Sequence, residues 1–137
     1  MSAKTDQTKL QIIRAAEALF FERGFEAVSM REIAIAARQG NPSAAIYHFG
    51  DKRGLVNAIL DRHAVPIQTG WLATLRYFDT RGVTALEDLA SLLVRPIVDK
   101  IDDPEGGRAY LALCAELATS STIPLSETRA CQGPGVL

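Results

Sequence analysis

Apolar side chains recur at helical spacing through the first third of the chain. In residues 8–23 they fall three and four positions apart, and Gly24 follows them as a glycine does at a helix C-cap. A second helix is predicted from Ser29, because Glu32 stands three positions later and completes a capping-box pattern. The start of the chain therefore predicts two helices joined by a short turn.

A third, shorter helix is predicted after the sequence RQGN, in which Gly40 is the expected breaker. Asn41 is a favourable N-cap residue. Pro42 suits the first helical position, because the N–H that proline lacks has no helical partner there. These signals predict a helix over residues 42–49.

A fourth helix is predicted to begin after Asp51, which is a good N-cap residue. Pro66 is expected to kink or end this helix. Residues 67–78 again carry apolar side chains on one helical face, so we expect a helical segment there as well.

Two further helices are predicted in the second half of the chain. Thr84 and Glu87 form a second capping box, which opens a helix to about Ile101. An Asp-Pro pair at 103–104 repeats the cap-then-proline signal and starts a last helix to about Thr119. No strand-like alternation is present, so the pattern predicts an all-α fold with six or seven helices.

Composition narrows the class of protein. The 137-residue chain is 47% hydrophobic, and no apolar run approaches the roughly 18 residues of a membrane helix. Its first residues are polar and lack the apolar segment of a signal peptide. The two cysteines indicate reduced thiols rather than a disulfide framework. These features predict a cytoplasmic protein with no membrane partner.

Signals of catalysis are scarce. The histidines and cysteines lack zinc-ligand spacing, and neither a glycine-rich phosphate loop nor a Ser-His-Asp signature is present. The neighbouring acids Asp102 and Asp103 suit a helix end and cap better than a catalytic pair. We expect no enzymatic activity, no cofactor and no metal site.

Two capped short helices behind a longer one are the pattern of a helix-turn-helix, whose second helix enters the major groove of DNA. Residues 28–53 carry a net charge of +2, which suits an anionic partner. Ala45 and Phe49 share one face of the third helix and can pack inward. Ser43 and Tyr47 share another face, which stays available to DNA.

Residues 10–60 resemble the DNA-binding domain of TetR-family transcriptional regulators. The resemblance rests on the apolar-aromatic end of the first helix, the Arg-Gly-aromatic turn at 23–25, the Ser-led second helix and the His-Phe-Gly-x-Lys sequence at 48–52. It implies a three-helix helix-turn-helix DNA-binding domain in residues 1–52. A helical domain for ligand binding and dimerisation would follow in residues 53–137.

The resemblance also implies contacts with double-stranded operator DNA. Ser29, supported by Arg31, would hold a phosphate, the start of the third helix would face the bases, and side chains near its end would grip the backbone. The residues expected to contact DNA are Ser29, Arg31, Asn41, Pro42, Ser43, Ala44, Tyr47, His48 and Lys52.

One position departs from the family pattern. The family commonly has Leu-Tyr-x-His-Phe, whereas Ala45 and Ile46 stand in the first two places here. Either Tyr47 takes over the backbone contact of the missing tyrosine, or Ile46 touches a thymine methyl group.

In the family, the helices after the DNA-binding domain hold a small-molecule effector and the dimer interface. Apolar and aromatic side chains of this region are candidates to line a pocket, although ordinary core packing is the better explanation of any one of them. The candidates are Trp71, Leu75, Phe78, Leu92, Val98, Tyr110 and Cys114. The sequence does not identify the effector.

The end of the chain carries no helical signal, because its prolines and glycines break any apolar period. We expect residues 122–137 to be irregular and loosely attached. Members of the resembled family are generally longer. We therefore expect a truncated second domain that lacks the usual four-helix dimer interface, exposes apolar surface and binds its operator weakly.

Two functions from different classes follow. The favoured one is a ligand-responsive repressor that binds operator DNA, as a homodimer if the family's assembly is kept. The alternative is a helical interaction or dimer-forming protein that retains the helix-turn-helix without regulating DNA.

Overall fold

Six α-helices and two 3-10 turns make up residues 2–82 and 85–128, the part of the chain that the computed structural model describes. The helices are α1 (Ala3–Arg23), α2 (Met30–Ala36), α3 (Ala44–Phe49), α4 (Lys52–Arg81), α5 (Leu86–Val98) and α6 (Gly107–Thr119). The 3-10 turns cover Asp99–Asp102 and Leu125–Glu127. These residues contain no strand, which confirms the predicted all-α fold. None of their helices is long and apolar enough to span a membrane.

The turn between α1 and α2 depends on Gly24, which is the predicted C-cap. Its φ is +82°, and its N–H donates to the Phe20 carbonyl. A Cβ at this position would lie 2.9 Å from a carboxylate oxygen of Glu116 on α6. That carboxylate also accepts the N–H of Phe25 at 3.0 and 3.2 Å. A side chain at residue 24 would therefore strain the backbone and push against α6.

The turn between α2 and α3 differs from the prediction in two details. The residue in the left-handed region is Arg38, at φ +57°, and not the expected breaker Gly40. The third helix begins at Ala44, two residues later than predicted, with Ser43 as its N-cap. Asn41 caps a turn instead, because its side-chain oxygen accepts the Ser43 N–H at 2.9 Å and its carbonyl accepts the Ala44 N–H at 3.0 Å.

The fourth helix runs for 30 residues and passes through Pro66 without a break. Residues 67–78 are helical as predicted, but they continue α4, so the expectation that Pro66 could end the helix is wrong. Proline removes only one backbone donor, and buried side chains on either side of it, at His63 and Ile67, hold both turns against the core.

The start of α5 lies next to residues outside the described part. Thr84, one half of the predicted second capping box, is among them. Helix α5 begins at Leu86 and has no side-chain cap at Ala85. It packs beside α4, where the indole N–H of Trp71 lies 3.4 Å from the Leu93 carbonyl.

The predicted cap of α6 at Asp103 is also wrong. The helix begins at Gly107, because the Asp103 carboxylate is engaged elsewhere: it accepts the N–H of Glu105 at 2.9 Å and the ammonium of Lys100 at 2.6 Å. The side chain thus organises the turn before α6 and not the first turn of the helix.

The segment after α6 is packed more closely than expected. Ile123 is 5% exposed and Thr128 is fully buried. The Thr128 hydroxyl donates to the Leu125 carbonyl at 2.6 Å. The expectation of loose attachment is therefore wrong as far as residue 128, and residues 129–137 lie outside the described part.

One continuous core joins α1, α2, α3, the first half of α4 and α6. It includes residues on both sides of the predicted domain boundary at residue 52, and the boundary itself stays a prediction. Helix α5 contributes little to this core and leaves most of its apolar side chains exposed, which confirms the expected apolar surface in the second half. The exposed α5 residues are Leu86, Leu89, Leu93, Val94, Ile97 and Val98.

A buried polar cluster connects α1 and α4 to the segment that precedes α6. It is formed by Glu17, Arg62, His63, Lys100 and Asp103. A Glu17 carboxylate oxygen lies 2.8 Å from His63 Nε2 and 2.9 Å from an Arg62 nitrogen. Lys100 Nζ lies 3.2 Å from His63 Nδ1. Because an ammonium only donates, Nδ1 accepts from Lys100 and the Nε2–H donates to Glu17.

Removing the Glu17 carboxylate is expected to destabilise the chain strongly. Glu17 is 6% exposed, and its loss removes the acceptor of the buried His63 Nε2–H and one acceptor of the partly buried Arg62. Glu17→Ala should lower the free energy of unfolding by about 3 kcal/mol, measured by urea denaturation. Glu22→Ala, an exposed carboxylate on the same helix, should change it by less than about 0.5 kcal/mol. Equal losses for both variants would contradict a structural role for the cluster.

Candidate nucleic-acid interface

Helix α3 has one buried face and one exposed face. Ala45 is fully buried and Phe49 packs against the core. On the opposite side Ile46 is 51% exposed and Tyr47 is 83% exposed. Ala44 belongs to the inner face, at 9% exposure, so the expected base contact from this residue is wrong. The helix is anchored by Ala44, Ala45 and Phe49 and presents Ile46 and Tyr47 outward.

The residues before α3 extend this exposed face. Asn41, Pro42 and Ser43 are all exposed, as the expected role in base contact requires. The side-chain oxygen of Asn41 is occupied by the Ser43 N–H, which leaves the amide NH₂ group as a donor. The turn therefore offers a hydrogen-bond donor beside the hydroxyl group of Ser43.

Tyr47 and His48 lie side by side at the outer end of α3. Their ring centroids are 5.0 Å apart and the rings meet edge to face. Tyr47 is 83% exposed, whereas His48 is partly buried. A phenolic O–H on an exposed ring is a suitable donor to a phosphate oxygen.

Lys52 is placed differently from its expected role as a phosphate ligand. Its ammonium donates to the Phe25 carbonyl at 2.8 Å and lies 3.5 Å from the Glu26 carbonyl. It thereby fixes the first turn of α4 to the loop that follows α1. The sequence did not predict this structural role, and the expected phosphate contact of Lys52 stays a prediction.

The start of α2 forms the predicted capping box. The Ser29 hydroxyl oxygen accepts the Glu32 N–H at 3.2 Å, and the Glu32 carboxylate accepts the Ser29 N–H at 2.8 Å. These bonds to Ser29, together with the ion pair to Arg23 at 3.0 Å, lower the pKa of Glu32 to about 2. Ser29 retains its hydroxyl proton for an external acceptor, and the neighbouring Arg31 is exposed.

The structure adds Arg38 to the candidate interface. This exposed residue occupies the turn between α2 and α3, and its left-handed backbone closes α2. The sequence RQGN by itself predicts only a helix break. The signal that could have revealed Arg38 is its position: a cation in the turn of a helix-turn-helix lies beside both helices that meet the DNA.

The predicted pocket residues do not line one cavity. Tyr110 is buried and stacks on His63 with ring centroids 4.8 Å apart, and burial raises the pKa of its hydroxyl. By contrast Leu75 is 51% exposed on α4 and Val98 is 48% exposed on α5. Trp71, Leu75 and Phe78 share one face of α4, whereas the other members lie on α5 and α6, and the ligand-binding role of the set stays a prediction.

A small cavity lies instead between α4, α5 and the 3-10 turn Asp99–Asp102. Its volume is about 270 Å³. It reaches the buried polar cluster, since Lys100 and Asp103 form part of its wall. The lining residues are Pro66, Gly70, Thr74, Arg95, Pro96, Asp99, Lys100 and Asp103.

Comparison with known proteins agrees with the geometry of the first four helices. Residues 12–59, about a third of the chain, match the sequence profile of bacterial regulatory proteins of the tetR family. The matched residues run from α1 to the first half of α4 and include the whole exposed face of α3. No curated protein sequence matches the chain.

Two solved structures extend the similarity into the second half. One, described as the crystal structure of a gamma-butyrolactone receptor (ArpA-like protein), is 28% identical with a TM-score of 0.62 over 88% of this chain. Another, described as the molecular basis for control of antibiotic production by a bacterial hormone, is 26% identical with a TM-score of 0.56 over 88% of this chain. The chain spans 58% and 59% of those two proteins, respectively.

The capping box makes a pH-dependent contribution to stability. The pKa of Glu32 in the folded chain is about 2, below its ordinary value of 4.5, so the carboxylate stabilises the fold above pH 4.5 and loses this effect as the pH falls toward 2. Thermal unfolding of the Glu32→Gln variant should therefore show a deficit relative to wild type near pH 7 that shrinks toward pH 3.

A matched control for this experiment is Glu22→Gln, which changes an exposed carboxylate of α1. Its difference from wild type should stay small across the same range. A Glu32→Gln deficit that is constant from pH 7 to pH 3 would contradict the assigned role of the carboxylate.

Proposed function

We propose that this chain, whose residues 12–59 form a tetR-family DNA-binding domain, is a sequence-specific DNA-binding regulator of transcription with α3 as its recognition helix. The observation that carries the proposal is the two-sided character of α3. Its inner face is fixed in the core by alanines, and its outer face presents Tyr47 at 83% exposure. A helix built in this way can enter the major groove without losing its own packing.

The polar groups around α3 suit contacts with the DNA backbone. Arg31 and Arg38 are exposed cations at the start and end of α2, and the Ser29 hydroxyl lies beside them. Backbone contacts of this kind set the position of the helix, while base contacts from the outer face of α3 give sequence preference. The proposal assigns the first role to Arg31, Arg38 and Tyr47.

Charged and neutral phosphate contacts predict different salt dependence. Arg31→Ala should lower the slope of log Kd against log salt by about 0.9, because one phosphate-bound cation is lost. Tyr47→Phe should weaken binding roughly tenfold and leave the slope unchanged, since it removes a neutral hydrogen bond to a charged group. Fluorescence anisotropy on a duplex selected from a random library by the full chain measures both quantities.

The control for this experiment is Tyr77→Phe, the same change at a 53% exposed tyrosine near the far end of α4. Its affinity and slope should match wild type. Wild-type affinity and slope in both Arg31→Ala and Tyr47→Phe would contradict the proposed interface.

We further propose that the protein is a repressor whose DNA affinity responds to a small lactone. The support is the similarity to a gamma-butyrolactone receptor and the cavity between α4 and α5. Lys100 in the cavity wall bonds to His63, which bonds to Glu17 on α1. A molecule that displaces Lys100 would disturb the position of α1 and, with it, the helix-turn-helix.

A gamma-butyrolactone with a short alkyl chain is therefore expected to raise the midpoint of thermal unfolding and to weaken DNA binding. Both are measured on the same full-length chain, first by thermal shift and then by titration of the selected duplex. A lactone that stabilises the protein without changing its DNA affinity would contradict the proposed coupling.

Operator binding would use two copies, one on each half-site about 34 Å apart. Such a protein acts where the chromosome is, in the cytoplasm, and needs no catalytic residue.

A second candidate function is a helical interaction protein, favoured by the exposed apolar residues of α5. Failure of the chain to select any DNA sequence, together with self-association in light scattering, would favour this second candidate.

A further inference from the structure

The outer face of α3 carries one side chain that cannot hydrogen-bond. Ile46 is 51% exposed, although neighbouring alanines of the same helix are buried. It lies three residues after Ser43 and next to Tyr47, so the three side chains border the same outward surface. A single exposed isoleucine is ordinary on a protein surface. Ile46, however, lies at the centre of the surface proposed to face the major groove, where an exposed side chain can contact a base.

The chemistry of Ile46 limits what it can recognise in DNA. A branched alkyl side chain offers no donor or acceptor to a phosphate or to the polar edge of a base. The apolar group that standard base pairs present in the major groove is the C5-methyl group of thymine. Tyr47 can hold the backbone with its hydroxyl, so the two neighbouring side chains can act on different parts of the duplex.

We propose that Ile46 determines specificity by packing against a thymine methyl group in the operator half-site. This inference rests on the proposed function, because it requires α3 to lie in the major groove. It makes Ile46 a base-reading residue, while Tyr47 and the arginines position the helix. An operator half-site bound by this chain should therefore contain at least one thymine whose methyl group contributes to affinity.

The test begins with a duplex selected from a random library by the full chain. Each thymine of the half-site is then replaced singly by deoxyuridine, which removes the methyl group and keeps every hydrogen-bonding atom. One position should weaken wild-type binding roughly three- to fivefold, the factor expected for one buried methyl-sized group. The same replacement should change binding of Ile46→Ala less than twofold, and Ile46→Val should keep part of the effect.

Ile97→Ala is the matched control, because it makes the same change at a 42% exposed isoleucine of α5. This variant should remain as sensitive to deoxyuridine as wild type. Selection of a DNA sequence whose thymine methyl groups are all dispensable, or unchanged sensitivity in Ile46→Ala, overturns the role of Ile46 and leaves the proposed function standing. Selection of no sequence at all overturns both.

Discussion

The position of the helix-turn-helix depends on the hydrogen bonds of the buried polar cluster. Glu17, His63 and Lys100 are each no more than 6% exposed, and a charged group at that depth must be paired. Their bonds fix α1 to α4 and α4 to the turn before α6. Because the partners come from three separate parts of the chain, a shift of any of these elements would break a hydrogen bond between buried polar groups.

The loop after α1 adds a second connection of the same kind. The N–H of Phe25 donates to Glu116 on α6, and its carbonyl accepts from Lys52 at the start of α4. The side chain of Phe25 is itself buried. The helix-turn-helix is therefore held on its inner side by α4 and α6. Its outer surface, formed by residues 41–43, Ile46 and Tyr47, is exposed and is not part of the core. The side chains of this surface can therefore be suited to binding without a loss of core packing.

The sequence revealed the elements whose signals are local. The capping box at Ser29, the C-cap at Gly24 and the inward face of Ala45 and Phe49 follow from spacing alone, and all three are present. Features that depend on contacts between distant parts of the chain could not be predicted from the sequence. Helix α4 continues through Pro66 because packing on both sides outweighs one missing hydrogen bond. Lys52 turns to the Phe25 carbonyl, whose position only the folded chain defines.

In the candidate site, too, some features follow from local sequence signals and others depend on contacts within the folded chain. Exposure of Ser43 and Tyr47 could be predicted from helical periodicity, whereas the burial of Ala44 depends on a helix start that turn chemistry moved by two residues. The cavity between α4 and α5 could not be predicted, because apolar spacing identifies a buried face without showing what lies across from it. The walls of a cavity come from several helices, and the sequence of one helix does not show which other helix packs against it.

The claim that the surface around α3 binds DNA is tested most directly by hydrogen–deuterium exchange of the full chain with and without its selected duplex. DNA binding at this surface predicts slower amide exchange confined to the start of α2 and to residues 41–49, with α5 unchanged. Protection of α5 without any protection at residues 41–49 would contradict it.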